Sequence, residues 1–368
     1  MAETAAQDRS RLESLTGLRF VAALVVFGLH LEGVFYFRAP YSGLTHLVGQ
    51  GAVGVSFFFV LSGFVLTWSQ RPGDRARAFY RRRLARIGPL QVVTWALTGA
   101  IILATGFHLV AGPTLASLFL LSPWIPSERY FEAMNVPCWS LGCELFFYAL
   151  FPLLLPVLRK MTSTGRRLLM AGCLLAPVVI AAVCAPGLFP TRRYWACYFF
   201  PPSRLPEFVL GILLALEMAE GRLPRIRLGP ASALALVAYG AASWTPSPFG
   251  LVTVTLVPFA LLIVAGAQQD EAGLPSVWRS RPMILLGTWS FAFYLVHAQV
   301  LAVLSRLDPA RLNLAGATGN ALAAVGLSVG AAALLHHFVE GPAEQALRSP
   351  RRRVRSGKGE AAVQPARP

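Results

Sequence analysis

Charge is scarce in this sequence. Only 14% of its 368 residues are Asp, Glu, Lys or Arg, where a soluble domain carries about 25%. That shortfall excludes an ordinary water-facing globule. Acidic residues are scarcer still, with 17 Asp and Glu against 33 Lys and Arg. Cysteine is confined to positions 138, 143, 173, 184 and 197. An odd number without metal-ligand spacing argues against a disulfide framework and suggests no metal site. Also missing is any polar stretch long enough to build a soluble domain.

Long apolar runs fill the space instead. The chain is 55% hydrophobic, with mean hydropathy +0.57. Runs able to cross a hydrocarbon core of about 30 Å fall at 18–36, 48–69, 87–107, 137–158, 168–184, 204–219, 228–246, 250–267, 283–304 and 319–339. The stretch 113–125 is too short to cross and reads as interfacial. The first run is too long for a signal-peptide core and lacks a small-residue cleavage site after it, so it stays as an anchor.

Charge placement gives the bundle its sides. With 113–125 left uncrossed, 25 of the 33 Lys and Arg lie in 1–17, 70–86, 159–167, 221–227, 268–282 and 340–368. These are then the cytoplasmic segments. Seven others, Arg204 among them, are assigned to the outer side, and Arg19 lies within a span. The expectation is an all-α, polytopic transmembrane bundle of about ten helices with both termini cytoplasmic, in a bacterial inner membrane. Residues 1–17 form a cytoplasmic segment, 18–342 the membrane domain and 343–368 a basic tail expected to be disordered. Basic residues placed by topology give no reason to expect nucleic acid; the membrane lipids are the surroundings. There is no internal repeat of the kind that marks many transporters.

Ionisable residues inside apolar runs cost about 2.5–3.5 kcal/mol each on insertion scales and mark candidate function. Arg19 and His30 lie eleven residues apart in the first span. Eleven helical steps return to within roughly 20° of the start, so both share one face about 16 Å apart. Arg19 could equally be a snorkelling anchor, and His30 a packed, hydrogen-bonded histidine. Arg83 and Arg86 stand just before an apolar helix whose first turn suits Pro89. Cations there oppose the helix dipole, and an anion such as a phosphate would relieve this. Glu144 lies one turn from Ser140 and one from Tyr148; such a carboxylate is either protonated or paired, and a structural role is a serious alternative. Ser290, Tyr294 and His297 form one polar stripe at i, i+4, i+7, consistent with interhelical hydrogen bonds as much as with catalysis. Glu340 follows the last span at the cytoplasmic surface.

A basic site for an anionic donor and a buried imidazole suit acyl transfer to a hydroxyl. Histidine would take the alcohol proton and a carboxylate could orient it. Coenzyme A phosphates would occupy the arginine site. A proton-coupled transporter fits the same residues, and residue chemistry alone leaves the two level.

The blocks SLTGLRFVAALVVFGLH, GVSFFFVLSGFVLTW, FYRRRLARIGPL, PCWSLGCELFFYALFP, RLPEFVLGILLA, LGTWSFAFYLVHAQV and FVEGP, in this order, resemble the acyltransferase-3 family of membrane acyltransferases. The resemblance runs from Ser14 to Pro342. It implies a ten-span fold moving an acyl group, commonly acetyl from acetyl-CoA, to a hydroxyl of a sugar or related acceptor. By position, Arg19 and His30 match the family's essential pair, Arg83 and Arg86 its donor-side arginines, Glu144 its Trp-Ser-Leu-x-x-Glu carboxylate and Glu340 its terminal Glu-x-Pro. Leu145 replaces a frequent second acid, and Phe291 a frequent Tyr. The implied catalytic residues are His30 and Glu144. The substrate-binding set is Arg19, Arg83, Arg86, Ser290, Tyr294, His297 and Glu340. Acyl-CoA would be a co-substrate, with no permanently bound cofactor. Size and the LTGLRF opening resemble actinobacterial members that acylate macrolide antibiotics; a cell-surface glycan is the other acceptor, and a transporter of a lipid-linked or antibiotic substrate the reading from another class.

Overall fold

A computed structural model describes residues 12–33, 42–70, 73–184, 192–307 and 314–348. The described residues contain helices and turns and no strand. In chain order the helices are α1 (Glu13–Gly33), α2 (Ser42–Gly49), α3 (Val53–Trp68), α4 (Ala76–Ala104), α5 (Ala111–Leu118), α6 (Glu128–Phe131), α7 (Trp139–Lys160) and α8 (Ser163–Cys184). They continue as α9 (Arg192–Tyr194), α10 (Pro201–Ala219), α11 (Leu228–Ser243), α12 (Phe249–Glu271), α13 (Arg281–Leu307), α14 (Leu314–Leu335) and α15 (Gly341–Arg348). Among the described residues nine helical segments are long and apolar enough to span a membrane, and α11, at 16 residues, is a shorter apolar helix. The stretch read as interfacial holds most of the eight-residue α5, a one-turn 3-10 helix at Ser122–Trp124 and turns, far short of a crossing at 1.5 Å per residue. Most of the basic tail, 349–368, lies outside the described residues, although α15 extends to Arg348.

Two helix pairs pack most closely, α3 with α10 and α1 with α13. Both contacts depend on small residues, as expected where lipid tails remove any hydrophobic advantage to association. A Cβ on Gly63 would collide with the Phe208 carbonyl, and one on Gly287 with the Thr16 carbonyl. The second contact sets α1 beside α13 so that Arg19 and His30 run alongside the Ser290–Tyr294–His297 stripe. At the start of α1, Ser14 donates its N–H and hydroxyl to Asp270 at 2.8 and 2.7 Å, which caps the helix carrying Arg19.

Two expectations need correction. The fourth helix begins at Ala76, eleven residues before the expected span, because Ala, Arg and Leu are all good helix formers and hydropathy reports only where the helix meets lipid. Arg83, Arg86 and Pro89 therefore lie inside α4, and the dipole argument for an anion at its first turn does not hold. Arg204 is not an outer loop charge. It sits inside α10, 1% exposed, and pairs with Glu207 on the same helix.

Candidate functional site

Helices α1, α3, α4, α7 and α13 enclose a cavity of about 810 Å³, counting its open mouth. Its charged end lies where α1 begins. Arg19 from α1, Arg83 and Arg86 from α4, and Glu144 and Tyr148 from α7 all line it. The i, i+4 step from Glu144 to Tyr148 and the i, i+3 step from Arg83 to Arg86 put each pair on one helical face. The Tyr148 and Ser62 hydroxyls serve Glu144, and Arg86 and Arg19 lie within its electrostatic reach. Aromatic faces hold the guanidinium groups. Arg86 lies over Phe291 at 5.9 Å, and Arg83 lies near Phe79 at 5.8 Å and Tyr148 at 6.0 Å, distances at which the ring quadrupole attracts a cation.

Glu340 belongs to this end. The last span turns through a short wide-helix segment, His336–Glu340, before α15. Glu340 is 5% exposed and accepts a hydrogen bond from His336 Nδ1 at 2.8 Å. It acts electrostatically on both Arg19 and Arg86, and Glu344 on α15 acts on Arg86. Arg19 and Arg86 thus face Glu144 and Glu340, and Arg86 also faces Glu344.

The opposite end of the cavity is apolar, with Val55, Phe58, Phe59 and Leu141 in its wall. Tyr294 and Ser140 supply the polar atoms there. Ser140 donates to the Pro137 carbonyl at 2.9 Å and shares a 2.7 Å hydrogen bond with the Tyr294 hydroxyl. The Tyr294 hydroxyl also reaches the Pro137 carbonyl at 3.2 Å, so either hydroxyl can be the donor in the pair. Ser290 is buried, also lines the cavity and donates to the Gly287 carbonyl.

Beyond Tyr294 lie two histidines. The Tyr294 and His297 rings are 6.0 Å apart, and His297 Nε2 is 3.0 Å from His30 Nδ1. Their protons can be assigned by elimination. His297 Nδ1 is 3.1 Å from the Phe293 carbonyl, which only accepts, so this nitrogen carries the proton and Nε2 has a lone pair. His30 Nδ1 then faces two acceptors, His297 Nε2 and the Val26 carbonyl at 3.1 Å. It carries the proton, and the second ring nitrogen of His30 is left as a base.

The structure therefore gathers Arg19, Arg83, Arg86, Glu144, Ser290 and Tyr294 around one cavity, brings Glu340 up behind the arginines, and places His30 with His297 beyond Tyr294. The expected carboxylate–imidazole arrangement is not formed. Glu144 is tied to the arginine end, and His297 takes the place beside His30. Sequence reasoning missed His336, although its i, i+4 spacing to Glu340 was a usable signal. Phe291 and Glu344 as arginine partners had none.

A family model for an acyltransferase domain matches residues 12–337. The acyltransferase MdmB of Streptomyces mycarofaciens is 39% identical over 360 residues, which cover 90% of this chain and 91% of that protein. The exopolysaccharide production protein ExoZ of Rhizobium meliloti is 31% identical over 265 residues, 70% of this chain and 78% of its own. The peptidoglycan O-acetyltransferase OatA of Listeria monocytogenes is 26% identical over 339 residues, 82% of this chain but only 51% of its own. No solved structure matches.

Proposed function

The chain belongs to the acyltransferase-3 family and is a multi-pass, acyl-transferring membrane enzyme; from that premise we propose that it moves a short acyl group from acyl-CoA to a hydroxyl of a macrolide-type antibiotic or its sugar, in a bacterial inner membrane. The observation that carries the donor reading is the polarity of the cavity, with three arginines at one end and an apolar end next to the paired histidines. Coenzyme A is built the same way, with phosphates at one end and a thioester at the other. Arg83, Arg86 and Arg19 would take the phosphates, with guanidinium–phosphate bonds of the charge-assisted kind. The described stretch 75–86, rich in arginine, carries Arg83 and Arg86 to this end, which supports a donor on the cytoplasmic side.

His30 acts as general base. Its unprotonated ring nitrogen takes the acceptor hydroxyl's proton as the oxygen attacks the thioester carbonyl. The tetrahedral intermediate then expels the coenzyme A thiolate, which takes that proton back from the imidazolium. Ester and free thiol are the products, and His30 returns to its starting state. While charged, His30 keeps its Nδ1–H on His297 Nε2 and the Val26 carbonyl, so the second histidine orients the first, as a carboxylate does in a hydrolase triad. Glu144 and Glu340 act on the arginines. Direct transfer is favoured over an enzyme ester, because Ser140, Ser290 and Cys143 donate to backbone carbonyls and the Ser62 hydroxyl serves Glu144.

The macrolide acceptor rests on the resemblance to actinobacterial members and on the end-to-end match with the Streptomyces acyltransferase. The peptidoglycan and exopolysaccharide relatives favour a second reading, a cell-surface glycan. The test is purified protein in lipid nanodiscs with labelled acetyl-CoA or propionyl-CoA and a panel of macrolide and glycan acceptors. His30→Ala should lower turnover by about 10²–10⁴-fold, the usual contribution of a general base. A full rate in that variant removes His30 from the chemistry. Uptake of an acceptor into vesicles without a covalent product would instead mark a transporter.

A further inference from the structure

The apolar end of the cavity is bounded by three aromatic rings held to different degrees. Phe59 is 1% exposed and wedged among Trp139 at 6.4 Å, Phe147 at 5.1 Å and the Arg204 guanidinium at 5.2 Å. Its position is set by the surrounding core. Tyr294 is anchored through its hydroxyl to Ser140 and, at 3.2 Å, to the Pro137 carbonyl. Phe58 is the exception. It is only half-buried, has no polar anchor, and touches Tyr294 edge-on with ring centroids 5.7 Å apart. Val55, one turn earlier on α3, completes this wall.

We propose that this end is the acyl pocket and that Phe58 sets the longest acyl chain the enzyme accepts. The inference rests on the reading of the cavity as the donor site. If the phosphates lie at the arginines and the thioester lies toward His297 and His30, the acyl chain beyond the carbonyl must rest against Val55, Phe58 and Phe59. No charged side chain lies in that wall, so the pocket accepts hydrocarbon and selects by size alone. An apolar pocket separates substrates differing by one methylene by about 10–200-fold, because a chain that is too long forces a close-packed wall to move. Phe58 is the lining ring whose removal breaks no hydrogen bond and leaves the buried Arg204 cluster intact. It makes the chain-length limit adjustable by one substitution.

The test is internal competition between donors. Purified full-length protein in nanodiscs receives acetyl-CoA paired in turn with propionyl-, butyryl-, isovaleryl- and hexanoyl-CoA, and ester products are counted by mass. Competition reports ratios of kcat/KM, so any general loss of activity common to all donors cancels. Wild type should favour the two shortest donors. Phe58→Ala should raise the isovaleryl-to-acetyl product ratio by about ten-fold or more. Phe58→Leu should fall between, and Phe58→Trp should narrow the enzyme towards acetyl. If Phe58→Ala does not fold, the Leu and Trp variants decide, since their expected shifts have opposite signs. A product ratio equal to wild type in the active variants overturns the inference while leaving the donor site standing. Absence of transfer from every acyl-CoA in wild type, with turnover from another acyl donor, overturns both and is recognised without any variant.

Discussion

The buried Arg204 and the arginines of the cavity differ in what surrounds them. Arg204 is closed in on every side. Its guanidinium donates to both Glu207 oxygens at 2.9 and 3.1 Å, to the Tyr198 carbonyl at 3.2 Å and to Ser56 at 3.0 Å, with the Tyr198 and Phe59 rings across its faces. Arg19, Arg83 and Arg86 line an open cavity, with aromatic rings beside Arg83 and Arg86 and carboxylates acting on Arg19 and Arg86. A buried charge must be compensated wherever it lies. At Arg204 the compensation is internal and complete, and the result ties α3 and the 195–199 turn to α10. At the cavity, part of the surface of each guanidinium faces space that a ligand can fill. An intramembrane arginine marks a functional site when it meets a cavity, and a cross-link when it does not.

The largest effect expected from this contrast is on folding. Glu207→Gln leaves the buried Arg204 charge without its carboxylate, and breaking such a pair costs about 3–5 kcal/mol. Thermal unfolding in detergent should show a large loss of stability or no monodisperse protein. Arg204→Met with Glu207→Leu, an apolar exchange of both partners, should recover most of the loss. A Glu207→Gln protein as stable as wild type would show that the pair is not the tie described above.

How much of this was legible in the sequence depends on the range of each interaction. The bundle and the shared face of Arg19 and His30 followed from hydropathy and a 3.6-residue period, both local properties, and the uncrossed 113–125 stretch from its length together with the charge count. The Arg204–Glu207 pair was also local, at i, i+3, yet charge counting assigned Arg204 to the outer side because topology rules treat every arginine alike. The early start of α4 was hidden because a helix outside the lipid leaves no hydropathy trace. The His30–His297 contact joins residues 267 positions apart, and no spacing on either helix reports it. For the same reason Glu144 was assigned to orient an imidazole when its neighbours are arginines and hydroxyls.

A second effect should appear at the open arginines, in binding rather than in folding. On the proposed reading Arg86→Ala removes a donor to the coenzyme A phosphates, and hydrogen bonds involving charged groups contribute about 1.5–3 kcal/mol each. The KM for acyl-CoA should rise about ten- to a hundred-fold, with the unfolding midpoint close to that of wild type, and Arg83→Ala should act in the same direction. Steady-state kinetics and thermal unfolding on the same preparations separate the two quantities. A variant that loses its fold but not its donor affinity would place Arg86 in the same class as Arg204 and abolish the distinction.

The smallest effect should come from a carboxylate that competes for the same arginine. Glu344 is half-buried on α15, which packs along α4, and it acts electrostatically on Arg86. Unlike Glu340, which is buried against His336, it lies at the bundle surface, where solvent screens it and ion pairs are weak. In the free enzyme Glu344 neutralises part of the charge that the phosphates of the proposed donor would need. Glu344→Gln should therefore lower the KM for acyl-CoA by about two- to five-fold with little change in kcat, and the advantage should shrink as salt is raised. A KM that rises instead would mean that Glu344 holds Arg86 in its binding geometry. The charge balance at the cavity would then be preorganisation for the donor rather than competition with it.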